Sequence, residues 1–229
     1  SNQMSYFTVA KGYRSGGFNP YAPSNKQAYN EENLVSYELG YKAMFFDNRL
    51  KFNTNIYYMD IKDMQVEESP MMGTIYMVNA ASATSKGFEM EVEGILTNEL
   101  SLFASAGINQ TTFDKFKDSV GDYSGNYNPL APKYNFNLGA QYRVNSGLYG
   151  RVDFNGYGKT YFDKTNTNSQ KAYSLVNTKI GYEFEDFDIY FYVNNLFDKN
   201  YDAIGAYFNG STTIVREERE FGLKLAYRF

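Results

Sequence analysis

The final ten residues read with a period of two. Phe221, Leu223, Leu225, Tyr227 and Phe229 fall on one face and Glu220, Gly222, Lys224, Ala226 and Arg228 on the other. That is the alternation of a strand wetted on one side only. Two folds accommodate it. One is the last strand of a soluble β-sandwich. The other is the closing strand of a transmembrane β-barrel, with the apolar row in lipid and the polar row in the lumen. A soluble domain rarely finishes on an aromatic row, because termini fray and the row would line an exposed edge, so the barrel is the expectation.

The same alternation recurs along the chain. Val35, Tyr37, Leu39, Tyr41, Ala43 and Phe45 share a face, and Leu50, Phe52, Thr54, Ile56 and Tyr58 return after Asp47-Asn48. Later rows are Phe88, Met90 and Val92; Leu100 to Ile108; Tyr134 to Val144; Leu148 to Phe154; Val176 to Phe184; and Phe187 to Val193. Tight turns are expected at Asp47-Asn48, Thr97-Asn98, Asn145-Ser146-Gly147 and Glu185-Asp186, where the residue types suit left-handed or Asx-turned backbone. Between them lie longer polar stretches at about 13–32, 63–81, 114–132, 161–171 and 196–216. The expectation is therefore an all-β, antiparallel, up-and-down transmembrane barrel, or a piece of one, of about ten strands with short turns at one end and long loops at the other. Several rows reach about ten residues, the length of a tilted membrane-crossing strand.

Composition removes other classes. The mean hydropathy of −0.53 leaves no stretch near the ~20 apolar residues of a membrane helix, while a barrel meets lipid with only alternate residues. The 23 tyrosines and 19 phenylalanines suit strands and interfacial girdles. A net charge of −4 offers no footprint for nucleic acid. With no histidine the usual general base is missing, and with no cysteine there are neither disulfides nor thiolate metal sites, so no enzyme, metal centre or cofactor is expected. The opening residues Ser1 to Tyr6 lack a basic region and an apolar run. This leaves a cytoplasmic protein or an internal fragment, and the abrupt start of the first strand favours the fragment.

Several segments carry a resemblance. They are Lys11-Gly12-Tyr13-Arg14-Ser15-Gly16-Gly17-Phe18-Asn19, Tyr37-Glu38-Leu39-Gly40-Tyr41-Lys42, and Asn79-Ala80-Ala81 with Ser85-Lys86-Gly87-Phe88-Glu89. Further on come Ala131-Pro132-Lys133-Tyr134, Val193-Asn194-Asn195-Leu196-Phe197-Asp198-Lys199-Asn200-Tyr201 and Arg228-Phe229. In this order and spacing they resemble the C-terminal barrel half of TonB-dependent outer-membrane receptors, especially the branch that takes up siderophores and other ligands. The resemblance implies a plugged barrel of about 22 strands, of which residues 1–229 supply the C-terminal portion without the plug or the TonB box. It also implies a ferric siderophore or similar ligand, TonB acting through the missing N-terminal part, the barrel-assembly machinery and outer-membrane lipid as partners, and the outer membrane of a Gram-negative bacterium as location. A passive porin-like or structural barrel, and a soluble antiparallel β domain, are the alternatives.

Ligand contacts are expected on the outer loops and upper lumen, where rings and an occasional cation suit a catecholate, hydroxamate or glycan. The candidates are Arg14, Tyr21, Tyr29, Tyr76, Tyr123, Tyr127, Tyr161, Phe162 and Tyr207. Barrel assembly is expected to read the closing row Phe221, Leu223, Leu225, Tyr227 and Phe229. The inward row Glu89, Glu91 and Glu93 reads as lumen wall answered by basic partners such as Arg143, Arg151 or Lys179, and Glu38 and Lys42 as paired with lumen neighbours. Asn194 to Asp198 reads as a strand end closed by an Asx-type turn. Met71-Met72 after Pro70 reads as an adaptable apolar patch.

Overall fold

The computed structural model describes residues 2–20, 22–68, 76–118, 120–208 and 211–228, with side chains omitted at 204–208 and 211–215. Ten strands make one sheet: β1 (Gln3–Arg14), β2 (Glu32–Phe45), β3 (Leu50–Glu68), β4 (Tyr76–Ile95), β5 (Leu100–Phe116), β6 (Tyr134–Arg143), β7 (Leu148–Tyr157), β8 (Tyr173–Glu183), β9 (Phe187–Asn194) and β10 (Glu220–Tyr227). They pair antiparallel in chain order from β1 to β10, an up-and-down meander whose two outer strands do not meet.

Away from the upper ends of β3, β4 and β5, register carries the period-two rows from strand to strand. One rung reads Phe7, Leu39, Ile56, Phe88, Ile108 and Tyr134. Another reads Leu102, Ala140, Val152, Thr178, Val193 and Phe221. Most outward side chains along these strands stay open, with Ile108 60% exposed, Ile180 60% and Leu223 73%, while Val193 is buried at 6%. A soluble β domain folds its apolar face against itself, whereas this sheet leaves most of that face open from β1 to β10, as a barrel wall does. Outward tyrosines gather towards the two ends of the rows, Tyr37, Tyr58 and Tyr134 near the long loops and Tyr142, Tyr182 and Tyr227 near the short turns. This is the girdle arrangement of a bilayer-spanning wall.

The opposite face is polar. A single inward rung runs Tyr6, Gly40, Asn55, Glu89, Gly107, Asn135, Tyr157 and Tyr173. Tyr6 lies flat over Gly40, where a Cβ would come within 2.2 Å of its ring, and its hydroxyl donates to Glu38 at 2.5 Å, with Lys42 over the ring. The glutamate row finds amide partners. Asn53 donates to Glu91 at 2.9 Å and Asn55 to Glu89 at 3.0 Å. The expected basic partners are engaged nearer by, Arg151 with Asp153 two residues along the same strand and Arg143 with Glu183 beside the short turns, across β7.

The expected short turns are in place. Phe46, Asp47 and Asn48 are three successive left-handed residues, and the Thr97 hydroxyl accepts from the Glu99 and Leu100 amides. The long-loop boundaries differ. The loop expected from Asp63 to Ala81 is largely strand, since β3 runs to Glu68 and β4 begins at Tyr76. Register shifts between Ile61 and Gln65, with Asp63 at φ 54°, break the alternation there and disguise the extension. Pro70, Met71 and Met72 lie outside the described residues. The last connection, expected as a loop from Leu196, contains a hairpin of Tyr201–Phe208 with Ser211–Glu217, separate from the wall. Before it, Asn195 makes the expected Asx closure, its side chain exchanging hydrogen bonds with the Lys199 backbone.

Candidate ligand-binding site

Strands β3, β4 and β5 have 19, 20 and 17 residues, well beyond the 9–11 that cross a bilayer. Their upper parts carry a core of their own. Ala81, Ala83, Phe113, Phe116 and Tyr123 are buried together, with Ile61, Met64, Val66 and Ala80 packed around them. Phe116 meets Phe113 and Tyr123 edge to face at 4.8 and 5.1 Å, the favoured geometry for ring pairs.

The loops hang on this layer through buried amide side chains. Gln65, 5% exposed, donates to Ser15 O at 2.9 Å and Asn30 O at 3.0 Å, tying down the first loop. Asn19 exchanges two hydrogen bonds with the Met77 backbone, and Asn79 does the same with Asn30 while also donating to Asp63 O. The loop 117–133 is bound to the loop 158–172: Asn166 exchanges bonds with the Tyr127 backbone, Asn126 donates to Lys164 O at 2.9 Å, and Leu130 N donates to Tyr161 O at 2.8 Å. Gln170 then accepts from Asp202 N at the final hairpin.

Carboxylates brace these turns. Burial works to raise the Asp118 pKa, but the Lys164 ammonium and the Val120 and Gly121 amides more than reverse this, so it titrates below the usual range. The Ser124 hydroxyl and amide, with Lys117 beyond, hold Asp122 down at about 2. For Asp163 burial again works upwards, and the Thr165 hydroxyl with the Asn168 and Thr167 amides outweighs it.

The nine ligand candidates divide into two groups and two exceptions. Tyr123, Tyr127, Tyr161 and Phe162 come together in the joined loops. Tyr127 and Tyr161 stack with centroids 5.8 Å apart, Phe162 is buried beside them in sequence, and Tyr123 is spent in the core with its hydroxyl donating to Asp118. Arg14, Tyr29 and Tyr76 belong to the first loop and the strands around it. Arg14 and Tyr76 are strand residues rather than loop residues, and Tyr29 sits in a two-residue strand beside Gly17. Tyr76 is buried under the Lys26 ammonium, which also pairs with Glu68. Tyr21 lies outside the described residues, and of Tyr207 only the backbone is described, in the final hairpin.

Some residues in this layer escape a reading by composition. Lys133 Nζ stands 3.9 Å from the Tyr127 ring centroid and Lys159 Nζ 4.3 Å from that of Tyr161. Tyr157, Tyr173 and Tyr201 form a second stack, with centroids 5.0 and 4.5 Å apart. Tyr157 and Tyr173 could have been found by following the inward row to its upper end. Tyr201, from a different hairpin, could not.

The wall and the loop layer can be set beside known proteins. A family model described as TonB dependent receptor-like, beta-barrel matches residues 1–196. The chain belongs to the TonB-dependent receptor β-barrel family. Among its relatives in the family is the pesticin receptor of Yersinia pestis, 31% identical over 221 residues, which cover 92% of this chain and 31% of that protein. The ferric-pyoverdine M114 receptor PbuA of Pseudomonas sp. (strain M114) is 28% identical over 174 residues, 72% of this chain and 21% of that one. The crystal structure of the ferric yersiniabactin uptake receptor FyuA from Yersinia pestis superposes with a TM-score of 0.82 at 25% identity, covering 98% of this chain and 34% of FyuA. The chain thus spans about a third of the length of the pesticin receptor and of FyuA. The closing row Phe221, Leu223, Leu225 and Tyr227 forms the outer edge of this section, opposite Val193, Phe191, Ile189 and Phe187, and Phe229 lies outside the described residues.

Proposed function

We propose that residues 1–229 are the C-terminal wall section of an outer-membrane receptor of a Gram-negative bacterium that takes up a ferric siderophore by active transport, with the plug and the TonB-contacting segment supplied by the rest of the protein. The observation that carries this reading is the pairing of a one-sided apolar wall with a loop layer that is knitted together and rich in rings and cations. A passive pore has no use for a braced ring-and-cation surface above its wall, whereas a receptor needs one to capture cargo before transport. The outward rows meet lipid, and the closing row Phe221, Leu223, Leu225, Tyr227 and Phe229 is what the barrel-assembly machinery reads. The relatives named for pesticin, pyoverdine and yersiniabactin support a chelate as cargo. No catalytic step is assigned. The test is uptake of iron-55-labelled chelates by cells carrying the full-length receptor, with and without the inner-membrane energising complex. Loss of uptake in the strain lacking that complex is expected, and uptake that persists unchanged replaces the receptor with a passive channel.

A further inference from the structure

Lys133 and Lys159 stand directly across from one another where the β6–β7 ladder runs on past its assigned ends, with Lys133 N donating to Lys159 O at 3.4 Å and Gly158 N to Tyr134 O at 2.8 Å. Since Tyr134 faces outward and Asn135 and Tyr157 face inward as a cross-strand pair, alternation turns both lysines to the inner face. Like charges at directly opposed positions destabilise a sheet. Elsewhere in the loop layer half-buried cations are neutralised: Lys26 by Glu68 and Lys164 by Asp118. Among the described residues neither Lys133 nor Lys159 has a carboxylate partner, although both are half-buried. What they have instead is ring faces. Lys133 lies over Tyr127 at 3.9 Å and Tyr161 at 5.9 Å, Lys159 lies over Tyr161 at 4.3 Å, and the Lys159 ammonium donates to the Tyr161 hydroxyl at 3.2 Å. A ring quadrupole attracts a cation without cancelling its charge.

The rings are themselves held in place. Tyr127 is fixed by the two backbone bonds to Asn166, and Tyr161 by its short strand with Ser169 and the Leu130 amide. Two ammonium groups with no carboxylate partner among the described residues and a preset pair of tyrosines therefore converge on the inner side of the wall, above the membrane-crossing rows. We infer that Lys133, Lys159, Tyr127 and Tyr161 form a binding site for an anionic chelate with aromatic donor groups, the ammoniums answering its negative charge and the tyrosine faces its rings. The site rests on the receptor reading and deepens it, because it sets the sign of the cargo's charge.

The test uses the full-length receptor, purified in detergent, and two probes of opposite charge: the ferric complex of a tris-catecholate, which is an anion, and a cationic ferric trihydroxamate. Binding is read from co-elution of the chelate's visible absorption and by titration at low and high salt. The K133Q/K159Q double variant is expected to bind the tris-catecholate at least about tenfold more weakly, the loss expected when a charge-assisted contact is removed, and wild-type affinity is expected to fall as salt rises. Affinity for the cationic probe is expected to be weak and not reduced by the substitution. Heat-modifiable migration of the variant confirms a folded barrel. Equal tris-catecholate affinity in wild type and double variant overturns the site, and so does preference for the cationic probe. Either result leaves active uptake intact in the iron-55 assay, so the site can fail without the receptor reading. If neither probe binds the receptor the site falls, while energy-dependent uptake of any other iron-55 chelate keeps the receptor reading.

Discussion

Ile108 and Phe116 lie on the same strand, yet the first is 60% exposed and the second 2%. Below, the wall keeps its apolar side chains on one face and its polar ones on the other, the pattern of a barrel wall. Above, the same strands bulge, bury Phe113 and Phe116 with Ala83, and turn loops around them as a water-soluble domain would. One sheet therefore follows two rules along its length. The boundary is where the alternation breaks, at the register shifts near Ile61 to Gln65 in β3 and at Asp114 in β5, passed over where Ser82 and Ala83 meet Lys115 and Phe113.

The largest effect that sharpens this contrast is F116A. Removing a ring that is nearly fully buried is expected to cost about 3–5 kcal/mol, confined to the upper layer. Hydrogen exchange on the full-length receptor should show the amides of 111–127 opening while those of β6 to β9 stay protected. Uniform loss of protection along both regions would mean that the wall and the layer are one cooperative unit.

Next comes L138R. Leu138 is an outward residue flanked across the ladder by Ala104 and Phe154, and a charge in mid-bilayer is expected to cost about 2–4 kcal/mol. Folding into lipid vesicles against urea measures it, and a cost near zero would place this row away from hydrocarbon. The exposed Val120 in the loop layer supplies the contrast, since V120R is expected to change stability by less than about 0.5 kcal/mol.

Smaller again is G147A, at the short-turn end. Gly147 has φ +101°, and a Cβ there would stand 2.5 Å from Glu183 O, so the turn must shift at a cost of about 1–3 kcal/mol. The same vesicle assay reads it, and an unchanged midpoint would show that the β6–β7 turn is softer than its geometry implies.

The gentlest probe is acid. The carboxyls of Asp118, Asp122 and Asp163 are all held below their unfolded value of about 3.9, so their stabilisation is complete above that pH and lost as pH falls through the depressed values, about 2 for Asp122. Protection of the loops 117–133 and 158–172 is therefore expected to be flat from pH 7 to about 5 and to decline below about 4, while the lipid-facing rows keep theirs. Loop opening between pH 7 and 6 would require a different titrating group.

Much of this was legible in residue order. The rows ending in Phe221 to Tyr227, the turns at Asp47-Asn48 and Asn145-Ser146-Gly147, and the Asx closure at Asn195 all appear where local periodicity and turn chemistry put them. The extension of β3 and β4 was hidden because a bulge erases the alternation that announces a strand. The glutamate row is wall, as its alternation implies, but its partners are amides rather than the expected cations, since Asn53 and Asn55 answer Glu91 and Glu89 across one ladder. In the candidate site, Tyr127 and Tyr161 were recognisable as loop aromatics, whereas the lysines beside them were not.

By itself the sequence determined which face of each regular strand is apolar and where the short turns lie, because a strand's side chains alternate with a period that no distant contact can change. Only the tertiary structure decided which loop residues meet. Asn166 finds Tyr127 and Asn126 finds Lys164 across gaps of 39 and 38 residues, and Lys133 faces Lys159 only after β6 and β7 have paired. Loop partners are chosen by the scaffold that brings them within reach, and no local pattern encodes that choice.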